Sequence, residues 1–199
     1  WRRVQTAVDE SLTIVVDDDE ADPNYERELI GHWDPSALNH DLLFARYPSG
    51  GAFAPHTDGR AIHDFNTRSF YSVIVFLNTI PVGCGGGTRF YVNDAVKQLK
   101  SEVNEDGKVH WTTDPSLVTA NVDAVAGRLL IFHQALVHEG VPPLSPHLKY
   151  IIRSDVMMKR NPPVCDSERD REAYRAAGPR ELQELVDQPV ELAQPLEHP

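Results

Sequence analysis

Cysteine is nearly absent: the 199-residue chain holds only Cys84 and Cys165. Two thiols that far apart form at most one bridge, which excludes a small secreted domain framed by disulfides. Basic residues are outnumbered, 19 Lys and Arg against 30 Asp and Glu, for a formal net charge of −11. No run of Lys or Arg interrupts that balance, so the footprint of a nucleic-acid partner is missing. Long apolar runs are missing too. The longest, residues 73–77 (VIVFL), has the length of a strand and not of a membrane span. There is no Asn-x-Ser/Thr acceptor, internal repeat or low-complexity tract. The chain opens at Trp1 rather than Met, so the absence of a signal peptide does not follow. Scarce cysteine and no glycosylation acceptor favour a cytoplasmic location, with the secretory pathway as the alternative.

What is present is ordinary for a globular protein, 41% hydrophobic and 25% charged residues. A chain of this length buries a substantial core, and a single domain over residues 1–199 is expected. Its core would span about 37–160, with a helical C-terminal tail over 161–199.

Short β-rich runs punctuated by Gly and Pro dominate the chain. Residues 11–16 (SLTIVV) read as a strand that runs into the acidic cluster 17–20, a solvated strand end. Residues 23–30 read as a short helix, and 42–47 (LLFARY) as a strand closed by the turn 48–51 (PSGG). Residues 70–77 (FYSVIVFL) are almost continuously apolar and should be buried on both faces. Gly85, Gly86 and Gly87 break the chain before 88–92 (TRFYV), and 128–132 (RLLIF) follows Gly127. Residues 149–158 (KYIIRSDVMM) alternate as a half-buried strand does. Residues 93–121 are polar and read as an insertion with a turn at 104–107, while 166–188 have helical composition. The fold class that follows is mainly β with flanking helices, a sandwich or barrel.

His56 and Asp58 stand one residue apart in APHTDGR (54–60). On a strand, positions i and i+2 share a face, so an imidazole and a carboxylate can converge there with Thr57 as spacer. Together they make two thirds of the 2-His-1-carboxylate set that holds non-haem Fe(II). A third ligand must come from a distant segment, and His133, His138 and His147 all follow the 128–132 strand. Lys149, Ile151 and Arg153 share one strand face. A cation pointing into an apolar barrel is costly unless an anion meets it.

The segments RYPSGGAFAPHTD, GGGTRFYV, GRLLIFHQALVHEG and KYIIRSDV occur in this order between about residues 46 and 158. Jointly they resemble the Fe(II)/2-oxoglutarate-dependent dioxygenase superfamily, in particular its prolyl 4-hydroxylase-like branch. The resemblance implies a double-stranded β-helix, the jelly-roll or cupin-like fold. It implies His56, Asp58 and His138 as iron ligands. Lys149, eleven residues beyond His138, would pair with the distal carboxylate of 2-oxoglutarate, and Tyr47 would bond the same group. An additional Pro-Pro step before Lys149 leaves Arg153 as the competing anchor; if it is not the anchor, Arg153 would reach the pocket mouth or pair with Asp155. Phe53, Phe76 and Thr88 fall at expected substrate-pocket positions. Phe76 replaces a Tyr that many members carry, and Ser72 takes a place more often held by Thr. The implied cosubstrates are 2-oxoglutarate and O₂, with ascorbate as an optional reductant. The implied reaction is hydroxylation of an unactivated C–H bond with decarboxylation of 2-oxoglutarate to succinate. A carboxylate at Asp58 leaves no room for the halide of halogenating relatives. The substrate would be a prolyl side chain in a peptide or protein. The alternatives are hydroxylation or desaturation of a free amino acid or small natural product, and a catalytically silent jelly-roll binding module.

Overall fold

Residues 12–21, 26–103 and 109–164 are described by a computed structural model. The strands are, in chain order, β1 (Ile14–Val16), β2 (Gly31–Leu38), β3 (Leu43–Tyr47), β4 (Phe53–His56), β5 (Ile62–Asp64), β6 (Thr67–Phe76), β7 (Thr88–Tyr91), β8 (Lys100–Val103), β9 (Val109–Thr112), β10 (Val118–Val122), β11 (Leu129–His133), β12 (His138–Gly140) and β13 (Lys149–Asn161).

Seven of them form one antiparallel sheet in the order β1-β2-β13-β6-β11, with β3 beside the first half of β13 and β5 beside β6. Four more form a second sheet, β10-β7-β12-β4, and β8 and β9 make a separate hairpin ladder. The sheets curl into an antiparallel half-barrel of the jelly-roll type. Among the described residues helical content is slight, in short 3-10 turns such as Arg27–Leu29 and Pro115–Leu117.

Three apolar clusters hold this arrangement, the smallest around Tyr91, Ala95 and Val137. Trp33, Phe70, Val73, Val156 and Met158 pack at one end of the large sheet. Ile74, Phe76, Phe90, Phe132 and Ile151 fill the space between the two sheets, directly behind the cleft described below. A fully buried side chain such as Phe76 contributes about 1.5–3 kcal/mol. β6 lies between β13 and β11 and is buried along nearly its whole length, as its continuous apolar run requires.

Several elements differ from the sequence reading. The helix expected at 23–30 is, where described, only the 3-10 turn Arg27–Leu29. β13 is half-buried as expected but longer. Flanked on both edges by other strands, it buries Lys149, Ile151, Ser154, Val156, Met157, Met158 and Arg160, and it continues to Asn161. β10 belongs to the second sheet through its pairing with β7, so the 93–121 insertion ends before Val118. β2 was not foreseen because Pro35 interrupts it. The register shifts between Met157 and Met158 opposite Pro35, the kind of bulge that lets a sheet accept a residue without an N–H. The turn at 104–107, the tail from 166 and Cys165 lie outside the described residues. Cys84 is a free thiol. No helix among the described residues is long and apolar enough to cross a membrane.

Candidate metal centre

β4 and β12 are neighbours in the second sheet, and their register places His138 directly opposite His56. Cross-strand partners bring their side chains together on one face, and here the imidazole centroids lie 4.3 Å apart. Asp58 is not on β4. The strand ends at His56, and Asp58 is held instead by its own N–H, which donates to the Gln134 carbonyl at 2.9 Å. That bond turns the carboxylate between the two rings. One carboxylate oxygen is 3.5 Å from His56 Nε2 and the other 3.5 Å from His138 Nε2.

Both rings are locked from behind. His56 Nδ1 is 2.7 Å from the Ala54 carbonyl, and His138 Nδ1 is 2.9 Å from that of Leu136. A carbonyl only accepts, so each Nδ1 carries the proton and each Nε2 lone pair faces Asp58. Burial lowers the pKa of His138, which keeps its ring neutral and able to ligate. Burial raises Asp58, but the His56 ring beside it, the hydrogen bond from Ser72 and the charge of Arg153 outweigh it and bring the carboxyl to about 2. Two imidazoles and a carboxylate whose donor atoms all lie within 4.8 Å of one another suit a divalent ion. An ion with bonds of about 2.1 Å spaces adjacent ligands about 3 Å apart, close to the separations here. His133 and His147 take no part in this cluster. His133 packs edge-on against Tyr71, 5.5 Å away.

The cluster opens into a cleft lined by Tyr47, Phe53, Thr88, Lys149, Ile151 and Arg153, among others. Lys149 sits deep in it, only 1% exposed. Its ammonium donates to the Gly87 carbonyl at 2.9 Å and lies over the ring of Tyr47, its cross-strand partner, at 4.9 Å. Among the described residues no carboxylate pairs with it. Glu139, whose charge acts on it, is bound by Arg89 at 2.9 Å. Burial pulls Lys149 down to about 8 against the opposing charge of Glu139. The Thr88 hydroxyl, next along the chain from Gly87, is buried with no hydrogen-bond partner. Unsatisfied buried groups of this kind are costly and mark a place where a ligand belongs. A cation, a free hydroxyl and the Tyr47 phenol together fit a carboxylate. Gly140 lets Phe53 and Tyr47 approach the strand closely: a Cβ there would lie 3.3 Å from Phe53 and 3.4 Å from the Tyr47 ring.

The other predicted positions are distributed unevenly. Phe53 is at the open end, 52% exposed, with its ring edge-on to His56. Phe76 is fully buried in the core, 5.7 Å from the Lys149 ammonium, and does not line the cleft. Arg153 pairs not with Asp155 but with Asp58, at 2.7 Å. Asp155 instead accepts from Gln134 and Asn39. Ser72 was noted in the sequence without a role. It donates to Asp58 at 2.5 Å. A hydroxyl inside an otherwise apolar buried strand needs a partner, and that was the available signal.

The described residues thus form a curled antiparallel half-barrel with a 2-His-1-Asp cluster in its mouth. No family model and no curated protein matches the sequence. Among solved structures, the chain is similar to a Pseudomonas putida prolyl-4-hydroxylase, with 23% identity over 60% of this chain and 51% of that one and a TM-score of 0.36. It is similar to a viral collagen prolyl hydroxylase from Paramecium Bursaria Chlorella virus-1, with 19% identity over 63% and 62% and a TM-score of 0.40. A non-heme monooxygenase shares 18% identity over 61% and 46%, with a TM-score of 0.40. The chain thus spans roughly half to three fifths of the length of these proteins.

Proposed function

We propose that the protein is an Fe(II)/2-oxoglutarate-dependent dioxygenase that hydroxylates an unactivated C–H bond. One oxygen atom of O₂ enters the substrate as hydroxyl and the other enters succinate, with 2-oxoglutarate losing CO₂. His56, Asp58 and His138 hold the iron, and the distal carboxylate of 2-oxoglutarate takes Lys149, Thr88 and Tyr47 as partners. The bound metal and 2-oxo acid supply the oxidising chemistry. The chain's own share is to orient. The two backbone carbonyls behind the imidazoles fix the Nε2 lone pairs, and Ser72 and Arg153 fix the carboxylate.

The observation that carries this reading is the coincidence, in one cleft, of a triad and a buried ammonium without a counterion beside an unpartnered hydroxyl. A silent binding module has no use for that pair of features. A prolyl side chain in a peptide and a free amino acid or small natural product both suit the chemistry, and Arg153 favours the small molecule for the reason given below. The test is optical. Fe(II) and 2-oxoglutarate added without O₂ should produce the weak visible charge-transfer band of the chelate. Bound metal without that band refutes the reading.

A further inference from the structure

We infer that Arg153 anchors the carboxylate of the substrate, and that the substrate is a small carboxylic acid with an apolar body rather than an internal residue of a protein. This rests on the dioxygenase reading above.

β13 presents two cations to the same cleft, Lys149 and Arg153, with Ile151 between them. Four residues along a strand span about 13 Å. A small diacid that has one end on the metal cluster therefore uses one of these cations and leaves the other. Lys149 is the enclosed one, with Thr88 and Tyr47 around it. Arg153 is at the open end, its side chain 33% exposed. Its walls are Leu43, Ala45, Phe53 and Ile74, and Leu43 and Phe53 are both more than half exposed.

A guanidinium offers five N–H donors in a planar fork. Asp58 occupies one nitrogen of Arg153, and no other protein acceptor meets this group among the described residues. The remaining carboxylates nearby are committed: Glu139 to Arg89, and Asp155 to Gln134 and Asn39. In the loaded site, the charges of a divalent ion and Lys149 are balanced by Asp58 and a dianionic 2-oxo acid. Among the residues lining the cleft, Arg153 is then the cation left uncompensated. At this partly exposed position the electrostatic cost is modest, but the guanidinium fork keeps unused donors beside apolar walls. A substrate carboxylate balances it, through the fork geometry that guanidinium and carboxylate share. An internal prolyl residue, which is neutral, does not.

The test uses the full chain loaded with Mn(II) and 2-oxoglutarate, which binds without turnover. Isothermal titration compares hexanoate with hexanamide, N-acetyl-L-leucine with its amide, L-proline with its amide, and a capped prolyl peptide. At least one acid should bind tenfold or more tightly than its amide, about 1.4 kcal/mol, and more tightly than the peptide. At saturating Mn(II) and 2-oxoglutarate, Arg153→Gln should remove that preference, and Arg153→Lys should keep part of it. A panel in which no acid outbinds its amide, or in which the peptide binds best, overturns the inference. So does an Arg153→Gln protein that weakens Mn(II) binding but keeps the acid-to-amide ratio, which would make Arg153 a positioning residue for Asp58 only. Failure of 2-oxoglutarate to bind the Mn(II) protein refutes the dioxygenase reading instead.

Discussion

Lys149→Met should make the unliganded protein more stable while destroying its affinity for 2-oxoglutarate. Lys149 is charged at neutral pH yet 1% exposed, and its pKa falls from 10.5 to about 8 because burial disfavours the ammonium. That fall corresponds to about 3 kcal/mol held against folding. Methionine has a similar length and no charge, so it removes this cost, as apolar replacement of buried ions often does. It also leaves the Gly87 carbonyl without the 2.9 Å bond it accepts from Lys149, which costs about 1–2 kcal/mol. The net gain at pH 7 is about 1–2 kcal/mol, or a rise in Tm of about 4 °C for a chain of this size. The pH dependence identifies the cause. Below about pH 8 the lysine is protonated in both the folded and the unfolded chain, and the penalty is complete. Between pH 8 and 10.5 the unfolded chain keeps a proton that the folded chain has shed, so the native protein gains stability as pH rises. The variant lacks this group, so the wild type should close the gap and overtake it near the top of that window. Urea titrations of both proteins from pH 7 to 10 measure this directly. Parallel stability curves, or a variant less stable at pH 7, would refute the claim that Lys149 is an uncompensated buried cation. Affinity should move the other way, with 2-oxoglutarate binding weakened more than tenfold in Lys149→Met.

The remaining predictions concern the triad and its supports. His138→Ala should abolish both metal binding and succinate formation, whereas His133→Ala and His147→Ala should retain them; full turnover by His138→Ala would remove it from the ligand set. Ser72→Ala deletes the 2.5 Å bond to Asp58 and should weaken metal affinity about 10–100-fold with little change in fold, as read by metal titration. Gly85 has φ +74°, and a Cβ there would lie 2.1 Å from the Pro142 carbonyl oxygen. Gly85→Ala should therefore destabilise the protein by about 1–3 kcal/mol, seen as a lower denaturation midpoint.

The parts of this molecule that sequence reveals are those governed by local period. β6, β7 and β11 announce themselves as short apolar runs, and β3 by the turn that closes it. β2 does not, because Pro35 reads as a breaker until the bulge opposite it on β13 is known. β13 was placed, but not its extension to Asn161 or the strands on both of its edges. Alternation of side chains says which face a residue is on, and says nothing of how many strands and layers cover that face. The three residues of the cluster, with Lys149 and Tyr47 in the cleft beside them, were named through motif resemblance. The groups that orient the ligands were not legible as such. Ser72, Gln134 and the Ala54 and Leu136 carbonyls reach the triad by bonds that exist only after the sheets have curled.

One strand carries more of the site than its motif suggests. Lys149, Arg153 and Asp155 stand at alternate positions of β13, so all three side chains leave the same face at increasing distance along it. Lys149 lies in the closed end of the cleft, and Arg153 touches Asp58 directly. Asp155 accepts from Gln134 Nε2, and the Gln134 carbonyl accepts from the Asp58 N–H, so β13 grips Asp58 a second time through that residue. β13 is also the strand that pairs with β2, β3 and β6 at once, which makes it the least free of all to move. The carboxylate that ends outside any strand thereby borrows the rigidity of the most heavily paired one. Replacing Gln134 with Ala keeps its backbone carbonyl but cuts the link to Asp155. It should therefore weaken metal binding less than Ser72→Ala, which removes a bond made to the ligating carboxylate itself. The opposite order, measured in the same metal titration, would place the control of Asp58 in its backbone and not in its carboxylate partners.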